Sequence, residues 1–351
     1  MARSHHIIKL LHCQRGGVAI WFVLCLPVLL GFVALAADLA RLNLTKVELQ
    51  NAADAAALAG ARSLSDTQPT PGPLDQPYNW SAATATATVV AQHNIANAEP
   101  IQDVSIEAGY WNLKNPSLGL RPPSTPGVPV TGDIPAIRAT IAISGTQNNG
   151  PLKLFFTPIL GIAQCNIQAS AIAVLPAPGK GTGMFPVVIN MTMFTNYWNT
   201  ITRTPKLDPA TGKPYIFDID SSYFSTVSGY WTTFTTQDHD SPTIQQLMTR
   251  GNTTELGLGD LTWLPSGINA DVYNYIPTNK DVAVYVVNSI VTDSWQPIVA
   301  IAGFHIIGTD GNGANSKIQG QFLDNVPIGT TDAGNGNGVP LGAYSPPILV
   351  K

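Results

Sequence analysis

Charge is scarce in this chain. Asp, Glu, Lys and Arg together supply 11% of 351 residues, where an ordinary soluble domain carries about a quarter. With Gly and Pro abundant, that scarcity disfavours a cytosolic helical enzyme and suits a turn-rich β domain outside the cytoplasm. Positive charge is rarer still in the large part of the chain. From Leu64 onward, 12 Lys and Arg face 19 Asp and Glu, a net charge of −7. Without a basic stripe, that part lacks the electrostatic footprint of a nucleic-acid partner. Cysteine is nearly missing: Cys13 precedes a long apolar run, Cys25 lies inside it, and Cys165 stands alone beyond it. One cysteine makes no intrachain disulfide, and no C-x-x-C metal or redox spacing exists. Cys165 reads as a small apolar residue within IAQCNIQASAIAV, with an intermolecular disulfide as the other option. Catalytic signatures are also missing. The chain has no G-x-S-x-G, H-E-x-x-H, Walker A or dinucleotide fingerprint. No enzymatic activity, cofactor, metal or small-molecule substrate is therefore expected.

What the chain has is a run without any charge from Val18 to Ala37. At about 1.5 Å per residue, twenty helical positions cross a hydrocarbon core of about 30 Å. Pro27 and Gly31 lie inside it, where lipid-embedded helices tolerate both. Asp38, Arg41 and Lys46 then mark an exit into water. The first seventeen residues hold Arg3, Lys9 and Arg15 and no acid, against Arg41 and Lys46 just after the run. That bias keeps residues 1–17 in the cytoplasm and exports the rest. Ala34-Leu35-Ala36 offers a signal-peptidase site. However, the apolar run exceeds the 7–15 residues of an ordinary signal core, and the helical pattern continues through the site. A retained single-pass anchor is the expectation.

Beyond the anchor, Leu39, Leu42, Leu49, Ala53, Ala56 and Gly60 recur at helical spacing. Small residues at Ala53, Ala57 and Ala61, and at Ala52, Ala56 and Gly60, let another backbone approach closely. In lipid that is a helix-pairing device; outside lipid it means packing on the protein's own domain. One helix from about Val18 to Ser63 would run roughly 70 Å. Pro69 to Pro77 is a linker by composition, and Pro176 to Gly183 is a second break. Ser81 to Ala98 reads as a helix, and Leu152 to Leu160 as a short helix or loop under the core. Strands are expected at Val104–Trp111, Ile134–Ser144 and Ile167–Leu175. Others follow at Phe185–Met191, Tyr215–Ile219, Gly229–Thr235, Val282–Val291 and Ile298–Gly308, with one helix at Ser241–Thr249. The expected fold is α+β: a transmembrane helix continuing into an Ala-rich helix, then a β-rich extracytoplasmic region. Its parts are a tail (1–17), a span (18–37), an Ala-rich helical stalk (38–66), a first α+β region (67–180) and a second β-rich region (181–351).

The start Arg15-Gly-Gly-Val-Ala-Ile, followed by Leu26-Pro-Val-Leu-Leu-Gly31, Ala36-Ala-Asp-Leu-Ala-Arg41 and Gln50-Asn-Ala-Ala-Asp-Ala-Ala-Ala-Leu-Ala-Gly-Ala61, resembles the N-terminal segment of TadG-like and TadE/TadG-like proteins of Flp pilus assembly. Gly109-Tyr-Trp111, Ile137–Ile143 and Ala169–Val174 are similar to the region after the anchor in longer members. Val299–Gly308 and Ile318–Phe322 are similar to their closing strands. The resemblance implies a non-catalytic inner-membrane protein whose exported domain helps to build Flp-type pili or a related secretion system. Other assembly proteins would then be partners through the N-terminal helix, alongside the bilayer itself. Two departures bear on function. Processed pilins keep a glutamate five residues after the cleaved glycine, and Trp21 and Phe22 stand there instead, so peptidase processing is not expected. The adhesion motif D-x-S-x-S is met only by Asp220-Ser221-Ser222, with Phe224 in place of the last serine.

Candidate site residues therefore concentrate in the span and the helix after it: Val18, Pro27, Gly31, Asp38, Gln50, Asn51, Ala53, Asp54, Ala57, Gly60 and Ala61. Elsewhere the plain readings win. Asp310 to Asn315 looks rich in oxygen ligands, yet Ala314 and Gln321 occupy positions where an EF-hand needs oxygen donors. It reads as a Gly/Asn turn, and so does Asp332 to Gly338. Asp238-His239-Asp240 reads as a loop before a helix start, and His5, His6 and His12 as polar tail residues. Tyr110, Trp111, Tyr230, Trp231 and Trp263 read as β-core packing. The alternative they leave open is a membrane-tethered adhesin or binding module with a glycan surface.

Overall fold

A computed structural model describes residues 17–66, 78–130, 132–200, 202–220, 228–311, 316–329 and 338–350. The expectations for the basic tail, the linker around residues 69–77, Ser221 to Phe224 and the Gly/Asn loops at 312–315 and 332–337 lie outside these residues.

Helix α1 runs unbroken over Gly17–Ser63, 47 residues, or about 70 Å. Between Phe32 and Ala59 the sequence holds neither Gly nor Pro, and alanine, the strongest helix former, dominates its second half. Arg62 in the last turn complements the helix dipole. The two halves live in different surroundings. The large side chains from Ile20 to Leu35 are exposed, whereas Leu49, Ala52, Ala53, Ala56, Ala57, Ala61 and Leu64 are buried.

What buries them is a helix and a sheet. Helix α2 (Trp80–Gln92) starts at Asn79, whose side chain accepts the Ala82 N–H, and turns Ala83, Ala87 and Ala91 inward at four-residue spacing. Its expected continuation to Ala98 is cut short. Asn97 and Ala98 both take positive φ and close a tight hairpin pairing Ile95–Ala96 with Glu99–Pro100, the geometry of a primed two-residue turn. Strands β1 (Ser105–Asn112), β2 (Asp133–Ile143) and β3 (Ile167–Val174) form an antiparallel sheet in that order. The alternation in IPAIRATIAIS does what period-2 patterning requires. Ile137, Ala139, Ile141 and Ile143 share the helix-facing core with Ala169, Ala171 and Ala173 of β3. Small residues on both helix and strand let α1 lie close to the sheet.

The second half builds around a larger sheet. Strands β4 (Val187–Asn190), β5 (Phe217–Asp220), β6 (Gly229–Trp231), β7 (Leu261–Leu264), β8 (Lys280–Val287), β9 (Ser294–Asp310) and β10 (Lys317–Leu323) are ordered β5-β10-β9-β8-β4-β6, with β7 paired to the start of β9. Among the described strands of this sheet, only the β4–β8 pair is parallel. Its core holds Trp198, Trp231, Phe234, Tyr285, Phe304 and Phe322. Two helices serve it. Asn190 caps the unexpected α3 (Met191–Tyr197), accepting the Thr192 N–H. Asp240 caps α4 (Ser241–Arg250), accepting the Thr243 N–H with Pro242 in the first turn; the Asp-His-Asp cluster is a helix start. A final strand, β11 (Ile348–Leu349), returns to the first sheet and pairs with β3. Ser345 is tied to the Pro176 carbonyl by both its N–H and its hydroxyl. Arg203 donates to the Tyr78 hydroxyl and the Asp133 carbonyl. The observed class is α+β with a long apolar N-terminal helix, as expected.

Candidate functional site: the anchor helix and its collar

The candidate residues lie along one helix but meet different partners. Val18 is in its first turn. Pro27 and Gly31 lie on the exposed apolar half, and a side chain at Gly31 would meet nothing within 4 Å. Gln50 donates to Asp54, four residues on, and to the Ser170 carbonyl of β3. The polar letters of the Gln-Asn-Ala-Ala-Asp pattern thus dock the helix on the sheet, while Asn51 faces solvent. Ala53, Ala57 and Ala61 are fully buried. At Gly60 a Cβ would sit 2.9 Å from the Ala83 carbonyl oxygen, 2.9 Å from the Ala87 Cβ and 3.1 Å from Ile137 Cγ2. The small-residue stripe therefore serves contact with α2 and the first sheet of the same chain.

Asp38 is where sequence reading and structure part. It was expected to meet water, yet only 1% of it is exposed. Its carboxylate accepts three backbone N–H groups, from Phe155 on Oδ1 and from Phe156 and Thr157 on Oδ2, each at 2.9 Å. Burial pushes the Asp38 carboxyl up, but the N–H groups of Phe155, Thr157 and Phe156 outweigh it and hold the carboxyl below its ordinary value. These donors belong to a hairpin. Leu152–Lys153 pairs with Gln164–Cys165, Leu154 N–H adds a bond to the Ala163 carbonyl, and residues 155–162 form the tip. Cys165 is half-buried against the core at its base.

A collar of polar contacts completes the seat. One turn past Asp38, the Arg41 guanidinium lies 4.6 Å from the centre of the Phe155 ring. It also donates to the Lys153 carbonyl and to Asn97 Oδ1. Glu48 accepts the Asn97 N–H at 2.7 Å, and Thr45 is buried between. Two hairpins are thus bolted to the helix within three turns of its apolar half. Nothing in the sequence pattern pointed to them, because the partners lie 49 to 119 residues away.

The remaining candidates keep their plain readings. Tyr110, Trp111, Tyr230 and Trp231 are buried, and Trp263 stacks edge-on against Trp295 at 5.3 Å. Among the described residues, no three His, Cys, Asp or Glu side chains form a group able to hold a metal ion.

Comparison with known families adds the deciding observation. Residues 16–63 match the model of the Flp pilus-assembly TadE/G-like family, and residues 59–173 match that of the Tad-like Flp pilus-assembly family. Residues 16–173 are thus similar to Tad-like Flp pilus-assembly proteins. The first match ends where α1 ends, and the second ends at the last residues of β3. The Tad-like part is thus the anchor helix with α2 and the first sheet. Neither match reaches the second sheet, including Val299–Gly308 and Ile318–Phe322. No curated protein and no solved structure matches the chain. By length and composition the helix fits a single-pass membrane anchor. The Tad-like family is one of structural and assembly proteins, and it points to other pilus-assembly components as partners.

Proposed function

We propose that this chain is a non-catalytic structural component of a Tad/Flp-type pilus or related secretion apparatus. It would be held in the inner membrane with residues 1–17 cytoplasmic and everything past Asp38 extracytoplasmic. The observation that carries this reading is the split character of α1. Its apolar window contributes nothing to the chain's own core, whereas one face of its Ala-rich half, including Leu49, Ala53, Ala57 and Ala61, is buried in that core. A soluble protein gains nothing from leaving Ile20 to Leu35 in water, since each such side chain forgoes about 1.5–3 kcal/mol of burial. Lipid supplies that burial. With Ala53, Ala57, Gly60 and Ala61 engaged internally, the apolar helix surface left for partner helices is mainly the span, around Pro27 and Gly31, with Leu39, Leu44 and Val47 exposed beyond it.

Protease added to spheroplasts tests the orientation: the large domain is expected to be digested from outside and protected in intact cells. Survival of the domain in spheroplasts, with digestion only after lysis, would refute it. Co-purification tests the assembly role. The full chain in mild detergent is expected to bring down other Tad/Flp assembly proteins, and its absence is expected to abolish piliation.

A further inference from the structure

The tip of the hairpin after β2 has no place in the reading so far. The stretch Leu154-Phe-Phe-Thr-Pro-Ile-Leu-Gly-Ile-Ala163 carries no charge. Leu152 to Leu160 was expected to lie under the core; Leu152 and Leu154 do, but the tip beyond them turns its large side chains outward. Phe155 is 70% exposed and Ile159 87%, with Phe156 and Ile162 also exposed. Few surface turns present four large apolar side chains together, and such patches mark contact surfaces.

We infer that this tip is a second membrane contact, dipping into the outer leaflet of the bilayer that α1 crosses. The inference rests on the anchor reading above, and three observations carry it. First, the tip lies alongside the span rather than above it. One apolar groove is lined by Val28, Gly31, Phe32 and Leu35 of α1 together with Phe156 and Ile159 of the tip. Gly31 is seven residues before Asp38, about 10 Å deeper at 1.5 Å per residue, which matches the 5–10 Å that interfacial elements penetrate. If α1 is in lipid at Gly31, a tip touching the same groove is in lipid too.

Second, most of the tip's backbone N–H groups are met within the protein, as an apolar medium requires of donors. An unsatisfied peptide group in hydrocarbon costs several kcal/mol, so lipid-exposed irregular backbone is normally excluded. Here the N–H groups of Phe155, Phe156 and Thr157 go to Asp38. Those of Leu154, Ile159, Gly161 and Ile162 go to the carbonyls of Ala163, Phe156, Pro158 and Thr157, and Pro158 has none to satisfy. A short 3-10 helix, Thr157–Leu160, ends at Gly161 in the left-handed region (φ 85°), which lets the chain turn back within its own hydrogen bonds.

Third, cationic groups sit at the level where the tip would leave the lipid. Arg41 packs over Phe155, and Lys46 and Lys153 are exposed. Basic side chains at that level suit anionic headgroups. Asp38 then acts as the pin between two membrane elements, its charge met by peptide N–H groups.

The test uses the full chain with Cys13, Cys25 and Cys165 replaced by serine, reconstituted in phosphatidylethanolamine/phosphatidylglycerol vesicles containing doxyl-labelled lipid. An environment-sensitive fluorophore is attached in turn at I159C, at V23C in the span and at L261C on an exposed edge of the second sheet. Blue-shifted emission and quenching by doxyl lipid at both Ile159 and Val23, with neither at Leu261, is the expected result. Quenching at Val23 without quenching at Ile159 overturns the inference and leaves the anchor standing. No lipid quenching at either position overturns the anchor reading itself. An Ile159 label shielded from aqueous iodide yet unquenched by lipid also overturns the inference, because a second protein copy then covers the tip.

Discussion

Gly60 and Gly31 sit in the same helix and differ in one respect, which allows the helix-on-helix packing to be weighed directly. Replacing Gly60 by alanine has two opposed effects. Helix propensity favours alanine by about 1 kcal/mol. Against that, the new methyl would meet the Ala83 carbonyl oxygen and the Ala87 Cβ at 2.9 Å. The oxygen belongs to backbone and cannot swing aside, so α1 and α2 must separate by about half an ångström to restore ordinary contact. Overpacking of this kind costs about 1–3 kcal/mol. Packing is therefore expected to win, with G60A destabilising the folded domain by about 0–2 kcal/mol. At about 2–4 °C per kcal/mol for a unit of this size, the melting temperature falls by up to about 8 °C. G60L, with a far larger side chain, is expected to prevent folding. G31A is the control: it faces nothing within 4 Å and is expected to leave the melt unchanged. Thermal unfolding of the full chain in detergent, followed by tryptophan fluorescence, measures all three. A rise in melting temperature for G60A would refute the reasoning, since it would mean that propensity acts unopposed and the helices do not touch at Gly60.

Other outcomes follow from the same geometry. D38N keeps the size of the side chain and removes the charge that collects three N–H groups, so the amides of Phe155, Phe156 and Thr157 are expected to lose hydrogen-exchange protection while those of β2 keep theirs. Because the folded-state carboxyl of Asp38 titrates below its ordinary 3.8, its contribution is complete above that value and is lost as pH falls through the lower folded value. Protection at these three amides, corrected for intrinsic exchange, should thus hold from neutral pH to about 5 and decline only in stronger acid. Y285F removes a buried hydroxyl that accepts from Asn252 and lies within 3.1 Å of the Gly181 and Leu256 carbonyls. A loss of about 1–3 kcal/mol is expected from the denaturation midpoint, and an unchanged midpoint would contradict that network.

The sequence made the helix legible because its signals are local. Twenty uncharged positions, an alanine-rich continuation and residues of small size at four-residue spacing all lie within one segment. The strand IPAIRATIAIS was legible for the same reason, and so was the helix start at Asp240. What was not legible depended on distant partners. The stripe Ala53-Ala57-Ala61 is compatible with pairing in lipid or with a domain of its own, and only α2 and β3 decide between them. Asp38 reads as a polar flag at a membrane exit until a hairpin 117 residues on is placed over it. Leu152 to Leu160 was legible only in part: Leu152 and Leu154 join the core while Phe155, Phe156 and Ile159 are exposed, and an apolar run has the same composition in either setting. Helix α3 was hidden by the strand-like run before it, and Asn190 was the signal that could have found it.

The unbroken course of α1 through Asp38 also sets a rotational phase. Each helical residue turns the chain by about 100°, so one residue inserted between Ala37 and Asp38 would swing the whole folded domain about 100° around the apolar half of the helix and lift it about 1.5 Å. Two insertions would point its second sheet to nearly the opposite side, while seven would bring it almost back to its heading, about 10 Å farther out. Which face of the folded domain looks toward which side of the apolar helix is thus counted out in residues, with no hinge to absorb an error. A partner that recognised both the apolar helix and one face of the domain would read that count.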